Sequence, residues 1–331
     1  MKSITGRNIR WGIIGLGGIA HKFATDLINV DGAELYAVAS RTQTKADDFA
    51  DKYQAKVSYD SYQKLVEDEQ VDAIYIATPH ALHQENSLLC LEHDKAVLCE
   101  KPFAMDSQQV NTMIACAQKN NTLLMEALWT FFLPHYQFVL KELANKTYGN
   151  ILKLEANFGF VREFNDESRL FNKSLGGGSL LDIGIYPIFA ALSTLGKPKS
   201  INARASYFAN GADSSCAMVF EYDHATALLE SSLLEQTSNQ AIFYCETGVI
   251  KLNSPFHGPT TVTVIANNDE KVFDFGYCTN GYNTHGYNYE IEHFNELLRQ
   301  GKTESNIMSF SFSQLLINTL DEVRSIIGLN Y

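Results

Sequence analysis

Residues 11–20 read W-G-I-I-G-L-G-G-I-A, and this stretch decides the fold of the first part of the chain. The apolar residues before Gly15 are typical of a short buried strand, and the spacing of residues 17–30 predicts a helix. Gly15 permits a tight turn, Gly17 lets the backbone approach a ligand, and Ala20 lets helix and strand pack closely. A strand, a glycine turn and a helix in this order begin a βαβ unit.

The glycine turn also predicts what binds there. The spacing G-x-G-x-x-A opens a helix whose first N–H groups have no partner within the helix, and such groups bind phosphate. We therefore expect a dinucleotide whose pyrophosphate contacts Gly15, Gly17, Gly18, Ile19 and Ala20. The alternative interpretation is a structural turn, since glycine turns occur in many α/β proteins.

The end of the second strand distinguishes between two dinucleotides. An NAD site usually has Asp or Glu about 20 residues beyond the glycines, where it bonds the ribose hydroxyls. Ser40 occupies this place, Arg41 follows it, and Lys45 lies on the next helix. A carboxylate would repel a 2′-phosphate, whereas serine and arginine bind it. The pattern favours NADP over NAD; the alternative is a solvated loop that happens to contain an arginine.

Strand and helix patterns alternate up to about residue 127, which predicts a parallel sheet with right-handed crossovers. We expect residues 1–127 to form a doubly wound Rossmann domain. Thr44 is the expected cap of the second helix, and Asp106, with Gln109 three residues on, is the expected cap of the fourth. The further strands are 33–40, 72–78, 96–99 and 122–127, and the further helices are 45–53, 81–93 and 107–120.

The pattern changes after residue 128, where mostly antiparallel strands follow one another. Residues 128–331 are therefore expected to form an α+β domain with a large, open, mostly antiparallel sheet; the last helix is free to pack back on the first domain. An open sheet needs a cover over its second face, so we expect a homodimer or higher homo-oligomer. The predicted strands are 150–161, 200–208, 215–222, 226–234, 241–246, 248–253, 260–266 and 271–275, and the helices are 134–145, 180–195, 289–300 and 310–327.

Charge and composition exclude several classes of function. The formal net charge is −12 and no basic cluster offsets it, which argues against nucleic acid and anionic membranes as partners. No apolar stretch looks long enough to span a bilayer, and the N-terminus does not resemble a signal peptide. The six cysteines form no C-x-x-C pair, which favours free thiols in the cytoplasm. The nine histidines, including His80 and His83, show no metal-ligand pattern, so no metal is expected.

Two further predicted strands end in residues that are candidates for a binding or catalytic site. Residues 97–104 read V-L-C-E-K-P-F-A, and the pair Glu100 and Lys101 is costly to desolvate unless each charge has a partner. Residues 77–80 read A-T-P-H and lie at the end of the predicted strand 72–78, where ligands of doubly wound sheets bind. Thr78 and Pro79 are expected along the cofactor. His83 either reaches the cofactor or is a surface histidine.

These motifs together resemble the Gfo/Idh/MocA family of oxidoreductases. G-L-G-G-I-A, A-T-P-H, C-E-K-P and G-G-G-S-L-L-D-I-G-I-Y-P occur in the family's order over nearly the whole chain. M-E-A-L-W-T, F-G-F and R-L-F are similar to the branch that contains dimeric dihydrodiol dehydrogenases and D-xylose dehydrogenases.

The resemblance implies roles for individual residues. Lys101 would be a catalytic residue beside the nicotinamide, with Pro102 restricting it to extended geometry and Glu100 as its orienter or a cofactor contact. Whether the Lys101–Pro102 bond is cis is left open, and the alternative is an ion pair at a strand end. Tyr186 would be the acid/base group and Asp182, four residues earlier, would hold Lys101 or a substrate hydroxyl. Tyr186 as a half-buried tyrosine bonded to a backbone carbonyl is the alternative.

The sequence departs from the family's pattern at two positions. Many members have histidine at position 186 and aspartate where this chain has Phe189. The branch often has arginine where this chain has Phe131, so the substrate preference stays open. Six residues are expected to surround the substrate, although the aromatic ones are equally typical of a core: Trp129, Phe131, Phe158, Phe160, Arg162 and Arg169.

The implied activity is hydride transfer between a nicotinamide and a carbinol or carbonyl carbon of a sugar, cyclic polyol or trans-dihydrodiol. One alternative is an enzyme that keeps its nucleotide bound and shuttles hydride between two sugars, as glucose–fructose oxidoreductase does. The other is a catalytically silent nucleotide-binding sensor. Retention of Lys101, Asp182 and Tyr186 argues against the sensor.

Overall fold

The computed structural model describes Ile4 and residues 6–331, which pack into two compact units. The first unit extends up to Trp129 and also contains Tyr277–Gln314. The second consists of Thr130–Gly276 and Leu315–Tyr331. The expected boundary between residues 127 and 128 lies close to the end of the first segment, and the first unit additionally takes in a segment from near the C-terminus.

A six-stranded parallel sheet forms the centre of the first unit. Its strand order is β3-β2-β1-β4-β5-β6, the doubly wound order of dinucleotide-binding domains. The sheet reverses its winding between β1 and β4, so the segments after these strands meet at a ligand-binding edge. The strands are β1 (Ile9–Ile14), β2 (Ala33–Ala39), β3 (Val57–Tyr59), β4 (Ala73–Ile76), β5 (Ala96–Glu100) and β6 (Leu124–Ala127).

Helices connect these strands, and two of their starts bear on the sequence predictions. The helix α5 is capped as expected, since the Asp106 carboxylate accepts a hydrogen bond from the Gln109 N–H at 2.8 Å. The cap of α2 is Thr42 rather than Thr44, because Thr42 is still extended while its carbonyl already accepts the Ala46 N–H. The helices are α1 (Gly18–Leu27), α2 (Gln43–Tyr53), α3 (Tyr62–Glu67), α4 (His83–Glu92) and α5 (Ser107–Asn120).

An eight-stranded sheet forms the second unit. Its order is β14-β13-β12-β11-β7-β10-β9-β8, and β7 and β10 are the parallel pair within otherwise antiparallel ladders. The predicted fold class, a Rossmann sheet followed by a large, mostly antiparallel sheet, is confirmed. The strands are β7 (Ile151–Gly159), β8 (Ser200–Tyr207), β9 (Asp213–Glu221), β10 (Thr226–Ser232), β11 (Ala241–Cys245), β12 (Gly248–Leu252), β13 (Val262–Ala266) and β14 (Asp269–Phe273).

The expected helix over residues 180–195 has two parts. Leu180–Gly184 is a π-helical turn, and α7 follows it. Pro187 has no N–H and so cannot make the α-helical hydrogen bond to the Ile183 carbonyl, which explains a wider turn at this place. The remaining elements are α6 (Pro134–Ala144), α7 (Ile185–Leu195), a hairpin of β15 (Cys278–Thr279) and β16 (Tyr282–Asn283), α8 (Asn288–Arg299) and α9 (Phe310–Ile327).

One helical stretch, Lys173–Leu195, is by length and composition apolar enough to cross a membrane. The expectation that no stretch would reach this length is therefore wrong, because the π-helical turn joins α7 to the segment before it. Its most apolar part is 94% buried inside the structure. The π-helical turn and α7 pack against β7 and β10, so this stretch is a core helix of the second unit.

The two faces of the eight-stranded sheet differ in burial. Leu154, Ala227 and Leu229 point inward and are buried. On the opposite face Leu228 keeps 40% of its surface exposed, between Val219 on β9 and Glu155 on β7. A groove of about 630 Å³ follows this face. The sheet is thus open on one side, as the strand pattern indicated.

Candidate active site

Gly15 lies where β1 approaches the segment after β4. Its φ is +88°, and a Cβ at this position would lie 2.6 Å from the carbonyl carbon of Ala77 and 2.7 Å from the N of Thr78. Contacts this short do not occur for real Cβ atoms, so glycine is required by the close approach of two backbones as well as by the turn.

Gly17 and Gly18 border open space. A Cβ built on either residue would meet nothing within 4 Å. Gly17 is the N-cap of α1, and the first turn of this helix has no acidic residue. Unpartnered N–H groups, open space and the absence of a repelling carboxylate fit a pyrophosphate. Ile19 lies in the same turn at the surface, and Ala20 is completely buried between helix and sheet.

The segment after β2 has the chemistry of a 2′-phosphate site. Ser40 is 8% exposed, and its N–H donates to the Tyr59 carbonyl at 3.1 Å. Arg41 and Lys45 are exposed. Arg41 is near enough to Tyr62 for its charge to lower the pKa of that phenol, although burial raises the pKa overall. These residues bring a hydroxyl and a cation to the place where an NAD site would have a carboxylate.

His83 is buried and connects two parts of this edge. Its ring nitrogens lie 2.9 Å from the Thr78 carbonyl and 2.8 Å from the Pro102 carbonyl. The interpretation of His83 as a surface histidine is wrong. Thr78 is itself 7% exposed, and its hydroxyl accepts a hydrogen bond from Asn86. Pro79 precedes a single 3₁₀ turn that leads into α4.

Glu100 is the last residue of β5, and Lys101 directly follows it. The Glu100 carboxylate accepts hydrogen bonds from the Tyr75 hydroxyl and, at 3.2 Å, from the N–H of Lys101. Burial raises the pKa of Tyr75, which keeps the hydroxyl protonated as the donor. The Lys101 side chain is half-buried, and its bond to Pro102 is cis. Glu100 thus orients the backbone of Lys101.

Glu126 on β6 is a second buried carboxyl beside this strand end. It is 2% exposed, and its Oε1 accepts the N–H of Phe103 at 3.0 Å. Burial, with a smaller contribution from the charge of Glu100, raises the pKa of Glu126 to about 7, although the Phe103 N–H and the charge of Lys101 act in the opposite direction. Glu126 is not among the site residues predicted from the sequence. The signal was present, because a carboxyl inside an apolar strand is costly unless something bonds it.

Asp182 and Tyr186 belong to the second unit. Asp182 lies in the π-helical turn and is 7% exposed; Tyr186 lies in the first turn of α7 and is 6% exposed, more buried than the half-buried tyrosine of the alternative interpretation. The Arg169 guanidinium donates to the Asp182 carboxylate at 3.4 Å and remains 54% exposed. Turns of this π type are frequent at functional sites.

Aromatic rings surround Tyr186. Phe158 lies 5.7 Å from it, and His257 lies 4.9 Å from it, between ring centroids. His257 stacks on Phe158 at 4.0 Å with the rings nearly parallel. Its carbonyl accepts the Thr130 hydroxyl at 2.6 Å, which anchors the loop. His257 is not among the site residues predicted from the sequence, although prolines and glycine on both sides of it mark a rigid loop.

The other predicted pocket residues are spread over different surroundings. Phe160 lies 5.9 Å from Phe158, with the Arg162 guanidinium 5.7 Å from its ring centroid. Phe131 packs edge-on against the buried Phe189 at 5.1 Å. Trp129 lies in the first unit, where it stacks on Tyr287 at 4.6 Å.

Two family models match this chain in sequence. The model for an oxidoreductase family with an NAD-binding Rossmann fold covers residues 9–128, and the Gfo/Idh/MocA C-terminal domain covers residues 136–251. The chain belongs to the Gfo/Idh/MocA family. It is therefore an NAD(P)-dependent oxidoreductase, and the predictions of family, enzyme class and nicotinamide cofactor are confirmed.

Curated members of the family resemble the chain over its full length. The trans-1,2-dihydrobenzene-1,2-diol dehydrogenase of Xenopus laevis is 36% identical over 330 residues, covering 97% of this chain and 99% of the relative. The human protein of the same name is 33% identical over 331 residues, covering 98% of each chain.

Solved structures agree in fold. KijD10, a 3-ketoreductase from Actinomadura kijaniata in complex with NADP and TDP-benzene, has a TM-score of 0.86 and 26% identity, covering 97% of this chain and 98% of its own. The aldose–aldose oxidoreductase of Caulobacter crescentus has a TM-score of 0.87 at 21% identity, covering 97% of each chain, and shows the fold alone.

Proposed function

We propose that the protein is an NADP-dependent dehydrogenase that oxidises a secondary alcohol of a trans-dihydrodiol or of a related cyclic polyol or sugar, and reduces the matching ketone in reverse. The full-length similarity of 33–36% to trans-1,2-dihydrobenzene-1,2-diol dehydrogenases carries this proposal. The presence of Lys101, Asp182 and Tyr186 supports it.

The bound nicotinamide supplies the hydride acceptor, and the protein handles the proton. Tyr186, in its phenolate form, takes the proton of the alcohol and becomes the phenol as the alcohol carbon loses hydride, and the Lys101 ammonium stabilises the charge that develops on the same oxygen. Asp182 orients a neighbouring hydroxyl or the lysine. Positioned acid–base groups of this kind contribute about 10² to 10⁴ in rate.

A flat, partly apolar substrate suits the surroundings of Tyr186. The nearly parallel rings of Phe158 and His257 border the tyrosine, and an unsaturated six-membered ring stacks well on such rings. We propose that Phe160, Arg162 and Arg169 contact the diol end, with Arg169 working through Asp182. Phe131 and Trp129 complete the set proposed to contact the substrate.

The molecule is further proposed to work as a homodimer or higher homo-oligomer through the open face of its second sheet. Exposed apolar side chains such as Leu228 support this. We also propose a cytoplasmic location, which the free state of all six cysteines supports.

The test is a screen of trans-dihydrodiols, inositols, inososes and aldoses with NADP and with NAD, followed by the absorbance of reduced nicotinamide. Lys101→Met and Tyr186→Phe are expected to lower kcat by roughly 10²-fold or more. Both should bind NADP within a few-fold of the parent, because these groups act on the transition state.

Matched controls use exposed residues of the same type. Lys119→Met and Tyr282→Phe change side chains on the surface and are expected to keep full activity. Near-normal kcat in Tyr186→Phe would refute the acid/base assignment. Protein that is purified with reduced nicotinamide already bound, and that exchanges hydride between two sugars, would favour the nucleotide-retaining alternative. No turnover with any substrate would favour the sensor.

A further inference from the structure

A buried carboxylate holds the start of the helical run that carries Asp182 and Tyr186. Asp213, the first residue of β9, is completely buried, and its Oδ2 accepts the N–H of Leu180 at 2.6 Å. Leu180 is the first residue of the π-helical turn. The N–H groups at the start of such a run have no partner within it, so the carboxylate fixes one of them two residues before Asp182.

The loop before the turn is shaped around the same carboxylate. Gly178 has φ +129°, and a Cβ at this position would lie 2.1 Å from the Asp213 Oδ1. Any side chain here would displace the carboxylate. Glycine is therefore required at position 178 to let the loop close over Asp213.

No ion pair reaches Asp213 within the part of the chain that the structure describes, and its Oδ1 makes no hydrogen bond there. The ionisable groups whose electrostatics involve it are Tyr207 on β8, Cys216 on β9 and Tyr331 at the C-terminus. Burial raises the pKa of each of the three, which keeps them neutral near pH 7. Burial also raises the pKa of Asp213 to about 6, although the Leu180 amide partly offsets this.

We propose that Asp213 is a positioning residue, whose ionised carboxylate holds the Gly178–Leu180 segment so that Asp182 and Tyr186 are correctly placed for catalysis. The inference rests on the proposed function, in which those two residues handle the proton. Asp213 itself touches neither substrate nor cofactor in this proposal and acts on Asp182 and Tyr186 through the backbone.

The pH dependence of stability distinguishes a positioning role for Asp213 from a stabilising one, because its charge is buried. Because the folded-state pKa is above the unfolded value, the folded protein binds this proton more tightly. Stability from this group is therefore highest below the unfolded pKa near 3.8, falls as pH rises to about 6, and stays lowered above that. Near neutral pH the ionised form is thus retained at a cost in stability.

Two variants test the packing of the loop against the Asp213 carboxylate, one at Asp213 and one in the loop. Asp213→Asn keeps the shape and removes the charge, and Gly178→Ala keeps the charge and displaces it. Ser214→Ala is the matched control, because Ser214 is the neighbouring buried residue and its hydroxyl has no hydrogen-bond partner in the described structure. The measurements are kcat and KM from pH 5 to 9, and the melting temperature over the same range.

We expect Asp213→Asn to lose at least 10-fold in kcat with the KM for NADP within about 2-fold. The parent should lose kcat as pH falls through about 6, and Asp213→Asn should lack this limb. Asp213→Asn should melt above the parent at pH 8, with the difference shrinking towards pH 5. Gly178→Ala should lose kcat as well, and Ser214→Ala should behave like the parent.

Normal kcat in Asp213→Asn, or a lower melting temperature than the parent at pH 8, would overturn the inference. If the variants do not fold, titration of the Asp213 carboxyl in the parent by ¹³C NMR decides, and a carboxyl that stays protonated above neutral pH would overturn the inference, because the proposed contact needs the ionised form. Full activity of Tyr186→Phe would instead contradict the proposed function. If Tyr186→Phe loses activity while Asp213→Asn keeps it, only the positioning role of Asp213 is overturned.

Discussion

At the scale of single residues, the molecule buries several carboxyl groups where a charge is costly, and three of them have a defined backbone partner beside the proposed catalytic residues. Glu100 accepts the N–H of Lys101, Glu126 accepts that of Phe103, and Asp213 accepts that of Leu180. In each case a carboxylate fixes the main chain at, or two residues from, a proposed catalytic side chain. Such hydrogen bonds to a charged group are stronger than neutral ones and define a direction.

The cofactor preference is also decided by single side chains. Ser40 and Arg41 offer a hydroxyl and an exposed cation where NAD sites have a carboxylate. We expect NADP to be preferred over NAD by about 10- to 100-fold in kcat/KM, since a charge-assisted contact contributes about 1.5–3 kcal/mol. Ser40→Asp combined with Arg41→Ala should erase or reverse this preference, as judged from steady-state kinetics with both nucleotides. Lys119→Ala, an exposed cation on α5, serves as the control; equal use of both nucleotides by the parent would show that Arg41 does not bind the 2′-phosphate.

At the scale of elements, the glycine turn between β1 and α1 contains two glycines with different purposes. Gly15 lets β1 approach the backbone of Ala77 and Thr78, and its φ is in the left-handed region. Gly17 faces open space at the start of α1, and its φ of −93° is accessible to any residue. Gly15 is therefore required by the fold, whereas Gly17 is proposed to serve the ligand.

The two glycines should separate stability from binding. Gly15→Ala is expected to lower the free energy of unfolding by about 2–5 kcal/mol, because strain at positive φ adds to a clash between backbones. Gly17→Ala should unfold like the parent in denaturant and bind NADP at least 10-fold more weakly in calorimetry, since the methyl group occupies the space proposed for the pyrophosphate. An unaltered affinity in Gly17→Ala would show that the pyrophosphate lies elsewhere, and an unaltered stability in Gly15→Ala would contradict the close approach.

At the scale of the whole molecule, the second unit covers one face of its sheet with α7 and leaves the other open. Rows of outward side chains run across the strands, with Val219, Leu228 and Glu155 as neighbours on β9, β10 and β7. The row mixes apolar and charged groups, and Leu228 is the exposed apolar side chain at its centre.

The oligomer prediction is tested on this row. The parent is expected to have at least twice the monomer mass in light scattering. Leu228→Lys should shift the protein towards the monomer, because an interface buries Leu228 against a partner and a lysine there would be desolvated without a counter-charge. Ile28→Lys is the control, since Ile28 is similarly exposed at 51% and lies in the first unit after α1. A monomeric parent would refute the proposed assembly.

Local patterns in the chain were sufficient to predict most of the elements and the ligand-binding edge of the first sheet. Apolar periodicity, the glycines at 15 and 17, and Pro102 after Lys101 act over a few residues, so they can be read directly from the sequence. Short elements were not predicted, because β3 has three residues and α3 has six, which is too few for a hydrophobic period to show.

Tertiary structure alone decided the partners of the buried polar groups. Asp213 meets Leu180 across 33 residues, and His83 meets Pro102 across 19. The place of His257 beside Tyr186 and of α8 in the first unit likewise depends on how distant segments pack. A sequence shows that a buried charge needs a partner, because desolvation is costly whatever the fold. Which backbone amide or ring provides that partner follows from long-range packing, which no local pattern records.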